Sequence, residues 1–303
     1  MLTVKNLTKR YGKSTVINNV SFNVNKGATV LMLGPNGAGK TTIIKCILGI
    51  VKFHGEVLVD GSRLSEGGKA TRTKIGYVPQ QFFMYDNLSV LKEAEFVASL
   101  RGASHEQTIE KLKLVGLYQY KDRKIRALST GMRQKLALAL ALLNEPPLLI
   151  FDEPISSIDL RGRLEFQSLV REQASRGKTV LMATHISGLS EFADYSMVID
   201  KGALIAEGTP KELLARVSAK DTLFIKLRKE QLPSMLTLIK ELGISSDGVV
   251  KGEWLSLAVQ ADAKAKLIAE LVGKGFNLDD ILIEPSTIES RYDSLIRSQA
   301  TPA

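Results

Sequence analysis

The chain has 303 residues, 44% of them hydrophobic and 24% charged, which is typical of one large or two modest globular domains. Its longest unbroken apolar run, Leu136–Leu143, has eight residues, whereas a membrane-spanning helix needs about 20, so we expect no transmembrane segment. A single cysteine, Cys46, excludes an intrachain disulfide and fits a reducing compartment, and three scattered histidines do not suggest a zinc site.

The net charge of +9 is unevenly distributed along the chain. Residues 1–215 hold 29 basic and 20 acidic side chains, whereas residues 216–303 hold 12 of each. A basic first part suits phosphate-bearing ligands or an anionic membrane surface, although solubility alone explains many surface lysines.

Strands alternate with helices in the first two thirds of the chain. Val30–Leu33 predicts a buried strand that ends at Gly34, and a helix follows over Thr41–Ile50. Residues 89–145 are predicted to be mostly helical. Further short strands are predicted at Leu148–Asp152, Thr179–Ala183 and Met197–Asp200. This alternation predicts an α/β fold with a mainly parallel sheet and a ligand at the carboxyl ends of its strands.

The pattern changes near residue 215, so we expect one domain over residues 1–215 and a second over residues 216–303. The second domain shows the order β-α-β-β-α-β, which predicts a small α+β fold of the ferredoxin-like type. Its predicted elements are Leu223–Leu227, Glu230–Leu242, the hairpin Val249–Trp254 continuing to Val259, Ala263–Gly273 and Leu278–Ile283. A short closing helix is predicted over residues 285–297.

A glycine-rich loop joins the first predicted strand–helix pair. Gly34–Thr41 matches the pattern G-x-x-x-x-G-K-[ST], in which backbone N–H groups surround a phosphate and the following helix dipole favours negative charge. Lys40 is expected to reach the β- and γ-phosphates, and the Thr41 hydroxyl to hold Mg²⁺. A plain turn between strand and helix is the alternative, which the Lys-Thr pair and the flanking elements disfavour. The expected ATP-binding residues of this segment are Gly34, Pro35, Asn36, Gly37, Ala38, Gly39, Lys40, Thr41 and Thr42.

A pair of carboxylates follows the predicted strand Leu148–Asp152. Asp152 is expected to hold Mg²⁺ through water, and Glu153 to polarise an attacking water molecule. Alone, the Asp-Glu-Pro sequence is equally well explained as a turn. The phosphate-binding loop favours the catalytic interpretation.

A third motif, Ala127–Lys135, places Ser129 and Gly131 at the start of an apolar helix. The first N–H groups of a helix have no intrahelical acceptor, and together with the helix dipole they attract anions. We therefore expect an anionic ligand at this helix end.

The three motifs, in this order and spacing, resemble the nucleotide-binding subunit of an ATP-binding cassette (ABC) transporter over roughly residues 1–215. The resemblance implies a P-loop NTPase cassette with a mainly parallel sheet, an antiparallel β part and a helical subdomain at about residues 89–145. It also implies ATP hydrolysis with ATP and Mg²⁺ as cofactors. In that family the third motif, the signature, caps the γ-phosphate of ATP bound to the other subunit of a head-to-tail dimer. The implied signature contacts are Ser129, Thr130, Gly131 and Met132.

The same resemblance assigns further positions. Tyr11 is similar to the aromatic residue that stacks on adenine, although a strand-end tyrosine packed on the sheet is an alternative. Gln80 is similar to the glutamine that contacts Mg²⁺ and the attacking water, but Gln81 follows directly and leaves a shift of one position open. Asp159 resembles the loop residue that faces the dimer partner, and His185 the histidine near the γ-phosphate. The implied catalytic side chains are Lys40, Gln80, Glu153 and His185, and the implied metal ligands are Thr41, Gln80 and Asp152.

Three positions depart from the usual family pattern. Thr130 replaces a glycine and Met132 a glutamine in the signature, and Ile158 replaces a leucine in the loop before Asp159. None of these changes a catalytic group, so the resemblance implies a working ATPase.

The resemblance implies an ATPase that powers a separate integral membrane permease, most like exporter-type systems for drugs, sodium, polysaccharides or copper-enzyme maturation. The expected partners are that permease and a second ATP-binding subunit, expected to be an identical chain. The expected location is cytoplasmic, at the inner face of the membrane, without nucleic acid. The alternative is a soluble ABC-type ATPase acting on DNA or ribosomes, which the single cassette and the neutral residues 216–303 disfavour. For residues 216–303, a ligand-sensing role is an alternative to a stabilising one.

Overall fold

The computed structural model describes residues 1–155, 159–185, 193–216, 220–226, 229–243, 248–260 and 263–284. The chain divides into two compact units, Met1–Leu213 and Leu214–Ala303, so the boundary expected after residue 215 lies close to this division. No helix among the described residues is both long and apolar enough to span a bilayer.

The first unit contains ten strands and seven helices in its described part. The strands are β1 (Leu2–Tyr11), β2 (Ser14–Val24), β3 (Thr29–Leu33), β4 (His54–Val59), β5 (Ser62–Arg63), β6 (Ile75–Val78), β7 (Leu148–Asp152), β8 (Thr179–Thr184), β9 (Tyr195–Asp200) and β10 (Ala203–Gly208). The helices are α1 (Lys40–Ile47), α2 (Leu64–Thr73), α3 (Val90–Arg101), α4 (His105–Leu114), α5 (Thr130–Leu142), α6 (Leu160–Ser175) and α7 (Pro210–Ala215), of which the last residues pass the division.

Two sheets build this unit. Strands β2-β1-β4-β5 form an antiparallel sheet, and β10-β9-β3-β8-β7-β6 form a second sheet in which every neighbouring pair is parallel except β10 with β9. Every residue of β3, β7 and β8 is buried, as expected for strands covered on both faces. The predicted α/β cassette, with a mainly parallel sheet and an antiparallel part, is confirmed.

Helix α1 lies in the hydrophobic core shared by the two sheets. Ile43, Ile44 and Ile47 are fully buried in one cluster with side chains of β1, β3 and β7. Cys46 is buried in the same cluster, as expected for a small apolar filler, and burial raises the pKa of its thiol to about 11. The predicted end of this helix at Ile50 is wrong, because Gly49 adopts φ +68° and terminates it earlier.

The helical subdomain is built from α3, α4 and α5, which pack against one another. Helix α3 begins and ends where the sequence predicts: the Ser89 side chain accepts a hydrogen bond from the Lys92 N–H at 3.3 Å, and Gly102 closes the helix at φ +72°. Helix α4 starts with a reciprocal capping box between Ser104 and Gln107. These caps fix where each of the two helices starts.

The second unit is a four-stranded antiparallel sheet with two helices. Its described elements are β11 (Lys220–Lys226), α8 (Leu232–Glu241), β12 (Val249–Lys251), β13 (Trp254–Gln260), α9 (Lys264–Gly273) and β14 (Asp280–Glu284). The strand order is β12-β13-β11-β14, and apolar residues of both helices and of the sheet form one core. The observed element order is the predicted one. The strand order fits a ferredoxin-like arrangement, which stays a prediction.

Several predicted bounds in the second unit differ from the structure. Strand β11 begins at Lys220 rather than at Leu223, α8 spans Leu232–Glu241 within the predicted Glu230–Leu242, and the last strand begins at Asp280 rather than at Leu278. The predicted strand residue Leu227 and the closing helix over residues 285–297 lie outside the described residues.

Candidate functional site

The glycine-rich loop connects the end of β3 to the start of α1, at the carboxyl edge of the parallel sheet. A Cβ atom added at Gly34 would lie 2.2 Å from the Ile199 carbonyl oxygen, and one at Gly39 would lie 2.5 Å from Ile17 Cδ1. Gly39 also adopts φ +106°, which disfavours any residue with a side chain. The loop can therefore follow this path only with glycine at these two positions.

The Lys40 side chain is buried inside the loop. Its ammonium group donates to the carbonyl oxygens of Gly34 at 2.6 Å and Pro35 at 3.1 Å, and lies 3.3 Å from Glu153 Oε1. A buried ammonium requires such partners because desolvation of an unpaired charge is costly. The loop thus holds a positive charge where the pattern predicts phosphate.

Thr41 and Asp152 meet where α1 begins and β7 ends. The Thr41 hydroxyl donates to Asp152 Oδ1 at 3.1 Å, while the buried Oδ2 has no hydrogen-bond partner in the described part of the chain. Burial raises the pKa of Asp152; the Thr41 hydrogen bond and Lys40 oppose this effect, and the neighbouring Glu153 adds to it. A hydroxyl beside an uncompensated carboxylate oxygen is the donor set that Mg²⁺ prefers, so these residues fit the implied ion.

Glu153 contacts both Lys40 and His185. Its Oε2 lies 2.8 Å from His185 Nδ1, and its own N–H donates to the Ala183 carbonyl at 2.8 Å. The Glu153 backbone has φ +48°, an unfavourable region for a residue with a side chain, and such strain is concentrated at functional sites. His185 follows β8 and keeps 42% of its side chain exposed, whereas the Glu153 side chain is buried, so His185 contacts Glu153 from the solvent side.

Gln80 lines the same cleft. This cleft, of about 410 Å³, is bounded by Val16, Asn36–Thr42, Gln80 and Glu153. Gln81 does not line it. Sequence reasoning missed Val16, a residue of β2 that also lines the cleft.

Tyr11 lies at the end of β1 and does not line this cleft. Its ring is 47% exposed, and Lys9 Nζ lies 4.4 Å from the ring centroid, a cation–π distance. The ring is therefore not buried against the sheet, which was the alternative to a contact with a base.

The signature residues lie in a second recess of about 470 Å³, lined by Ser129–Met132, Lys135, Asp159, Arg161, Gly162 and Glu165. Ser129 caps α5 by accepting from the Met132 N–H at 3.2 Å, and Asp159 caps α6 by accepting from the Gly162 N–H at 2.8 Å. Sequence reasoning missed Lys135 and Glu165, which form an ion pair at 2.5 Å across the recess.

The two recesses have no lining residue in common. The structure therefore brings Lys40, Thr41, Gln80, Asp152 and Glu153 together with His185, and brings Asp159 together with the signature, but it does not join the two groups into one pocket. Ile158 lies outside the described residues.

The ABC transporter family model matches residues 17–156. The linearmycin resistance ATP-binding protein LnrL of Bacillus subtilis (strain 168) is 31% identical to this chain, over 97% of the chain and 98% of the relative. The chain belongs to the ABC transporter ATP-binding family.

Two further comparisons agree with this assignment. The lantibiotic transport ATP-binding protein SrtF of Streptococcus pyogenes is 36% identical, with 68% of this chain and 90% of the relative covered. A dimeric ATP-binding cassette solved in a post-hydrolysis state with ADP and Pi superimposes with a TM-score of 0.63 at 28% identity, over 69% of this chain and 98% of that one. As an ABC ATPase, the protein binds ATP and hydrolyses it.

Gly39→Ala should abolish ATP binding, because the added Cβ would collide with Ile17 and could not tolerate φ +106° without moving the loop. We expect the affinity for a fluorescent ATP analogue to fall at least about a hundredfold, equivalent to about 2.7 kcal/mol. Gly27→Ala is the matched control: it has a similar left-handed backbone at φ +78°, open space around the Cβ, and a position at the opposite end of β3. Equal loss in both variants would show that general strain, rather than loop shape, controls binding.

Proposed function

We propose that the protein is the ATP-hydrolysing subunit of an exporter, in which two copies close head to tail on ATP and drive a separate integral membrane permease. The observation that carries this proposal is the separation of the two recesses. The phosphate-binding loop and Glu153 line one, whereas the anion-attracting end of α5 lines the other. A second copy supplies the missing half of each site.

The chain's own residues account for ATP binding at the first recess. The loop N–H groups and Lys40 hold the β- and γ-phosphates, with Lys40 exchanging its contacts to the loop carbonyls for phosphate oxygens. Thr41, Asp152 and Gln80 would hold Mg²⁺, Asp152 through water. When bound, the ion neutralises phosphate charge in the transition state.

Hydrolysis requires a base beside the γ-phosphate, and the position of Glu153 in the lining of the cleft supports this role. As the water oxygen bonds to the γ-phosphorus and the bond to the leaving oxygen of ADP breaks, Glu153 accepts the water proton. His185, 2.8 Å from the Glu153 carboxylate, orients that group and faces the phosphate from the mouth of the site. Tyr11 stacks on the adenine ring.

In the closed dimer, Ser129 and Gly131 of one copy contact the γ-phosphate held by the other copy. Thr130 and Met132 flank this contact, and Asp159 faces the partner from the start of α6. Two ATP molecules at the interface thus favour closure, and their hydrolysis reopens the dimer.

The relatives support export rather than a role with nucleic acid. They are named for lantibiotic transport, linearmycin resistance, bacitracin transport and Nod factor export. We infer a similar task for this chain, at the inner face of the membrane through its permease. The alternative of an ATPase acting on DNA or ribosomes finds no support among these relatives.

An exposed apolar patch follows Gln80 and is the surface that we assign to the permease. Phe83 is 96% exposed, and Tyr85 packs edge-on against Phe96 with ring centroids 5.5 Å apart. Tyr85, Phe96 and Leu100 are also exposed, and exposed hydrophobic side chains of this kind mark protein contacts. Movement at the patch would reach the ATP site through Gln80.

Glu153→Gln should bind ATP with near-normal affinity but hydrolyse it about 10²–10⁴-fold more slowly, because the amide cannot accept the water proton. Phosphate release and equilibrium ATP binding measure the two effects separately. Glu207→Gln, on the exposed position of β10, is the control and should hydrolyse normally. Near-normal turnover in Glu153→Gln would refute the assigned role of the base.

Ser129→Arg should prevent ATP-dependent dimer formation, since the long side chain would occupy the space of the partner's γ-phosphate. We would measure dimerisation by sedimentation in the Glu153→Gln background, where ATP persists. Ser104→Arg removes the cap of another helix, with a similar stability cost of about 1 kcal/mol, and should still dimerise. A dimer that survives in Ser129→Arg would contradict the assigned position of the signature.

A tagged chain purified from detergent-solubilised membranes should bring down a multi-spanning protein that mass spectrometry can identify. Phe83→Asp should lose this partner while keeping ATP hydrolysis, because it places a charge in the apolar patch. Val272→Asp, which changes an exposed apolar residue of α9, is the matched control. Recovery of ribosomes or nucleic acid in place of a membrane protein would favour the alternative function.

A further inference from the structure

A short linker connects the two segments that carry the signature and the catalytic carboxylates. The α5–β7 linker, residues 143–147, begins after α5, whose opposite end is the signature. It leads into β7, whose opposite end holds Asp152 and Glu153. Any change of angle at this linker therefore moves the signature relative to the carboxylates.

Asn144 bonds to both sides of the linker. Its side-chain amide donates to the Thr73 carbonyl at 2.6 Å, next to β6 of the sheet. Its side-chain oxygen accepts from Arg101 Nη1 at 3.2 Å, at the end of α3 in the helical subdomain. One side chain thus joins the helical subdomain to the edge of the sheet.

Glu145 also joins the helical subdomain to the sheet, through ion pairs. Its two carboxylate oxygens form ion pairs with Lys111 of α4 and with Lys178, which directly precedes β8. The Lys111 side chain is only 2% exposed and Lys178 only 10%, so both buried ammonium groups need carboxylate partners, and Glu145 pairs with both of them. Although burial alone raises the pKa of Glu145, hydrogen bonds from Lys111 and Lys178 lower it overall, so the carboxylate stays ionised at neutral pH.

The backbone of the linker is also constrained, by an unusual φ angle at Glu145 and by close packing against β6. Glu145 adopts φ +49°, a conformation that glycine or asparagine accepts far more easily. The chain also passes so close to β6 that a Cβ atom at Gly76 would lie 2.6 Å from the Ala141 carbonyl and 2.8 Å from Pro146 Cγ. A glutamate in a glycine-type conformation indicates that its carboxylate, rather than its backbone preference, is needed at this position.

We propose that Glu145, through its ion pairs with Lys111 and Lys178, is a positioning residue for ATP hydrolysis that fixes the angle between α5 and β7. It sets how the signature of one copy meets the ATP of the other, and it touches neither ATP nor the reacting water. This inference rests on the proposed function, because the signature acts only in a closed dimer.

The test compares Glu145→Gln with Glu110→Gln in the full chain. Glu110 also contacts Lys111, at 2.9 Å, but its side chain is 63% exposed and does not reach the sheet. We expect Glu145→Gln to lower kcat at least about tenfold, since small misplacements of a reacting group have effects of this size or larger. ATP affinity of the single chain, measured in the Ser129→Arg background in which the dimer should not form, should stay within about twofold of the parent. Glu110→Gln should leave both quantities unchanged.

The Lys111→Met variant tests whether kcat depends on the contact between Glu145 and Lys111 or only on the net charge of the chain. In a double-mutant cycle with Glu145→Gln, the combined loss of kcat should be smaller than the product of the single losses, because both changes break the shared contact between Glu145 and Lys111. If Glu145→Gln does not fold, Glu145→Gly replaces it, since glycine suits φ +49° and removes the side chain together with its carboxylate. It should show the same fall in kcat with unchanged ATP affinity.

Unchanged kcat and unchanged ATP-dependent dimerisation in folded Glu145 variants would overturn the inference. The inference would also be overturned if the variants lost kcat in proportion to their fall in Tm and regained it at lower temperature. The residue would then act only by stabilising the fold. The parent chain distinguishes this failure from that of the proposed function. If the parent chain does not hydrolyse ATP, and its Glu153→Gln variant does not dimerise with ATP, then both the proposed function and the role of Glu145 fail.

Discussion

The buried ion pair between Lys40 and Glu153 is the constraint on which the rest of the site depends. The two charged groups lie 3.3 Å apart with only about one twentieth of each side chain exposed, and neither charge would be stable there alone. Their pairing requires that the loop after β3 and the end of β7 meet at one edge of the sheet, with β8 between the two strands. Three features bring the two segments together. Strands β3, β7 and β8 are fully buried, glycines allow the close path of the loop, and Glu153 adopts a left-handed backbone conformation.

Under the proposed function, a chain with this constraint completes only half of an ATP site. The loop side supplies positive charge, a base and oxygen ligands, whereas the capped starts of α5 and α6 form a separate recess. The two recesses share no lining residue. In the proposed dimer, assembly is therefore the step at which ATP is fully enclosed, and hydrolysis depends on a partner.

The sequence predicted the features that depend on neighbouring residues, such as helix caps, helix ends and turns. The Ser89 cap, the Gly102 stop and the loop before α1 follow from residue types a few positions apart, and the structure shows all of them. The end of α1 was mispredicted because Gly49 outweighs the apolar pattern that continues to Ile50. Contacts between distant residues carry no such signal. Nothing in the sequence pairs Glu145 with Lys111 or Lys178, brings His185 to the Glu153 carboxylate, or places Val16 in the cleft.

The position of the single tryptophan has a practical consequence. Trp254 begins β13, in the antiparallel sheet of the second unit, and the chain has no other indole. Intrinsic tryptophan fluorescence therefore reports on that unit alone, without any label. Circular dichroism, by contrast, sums the helices of both units. Recording the two signals in one denaturant titration would show whether the units unfold together or in separate steps, since coincident transitions are the mark of a single cooperative event.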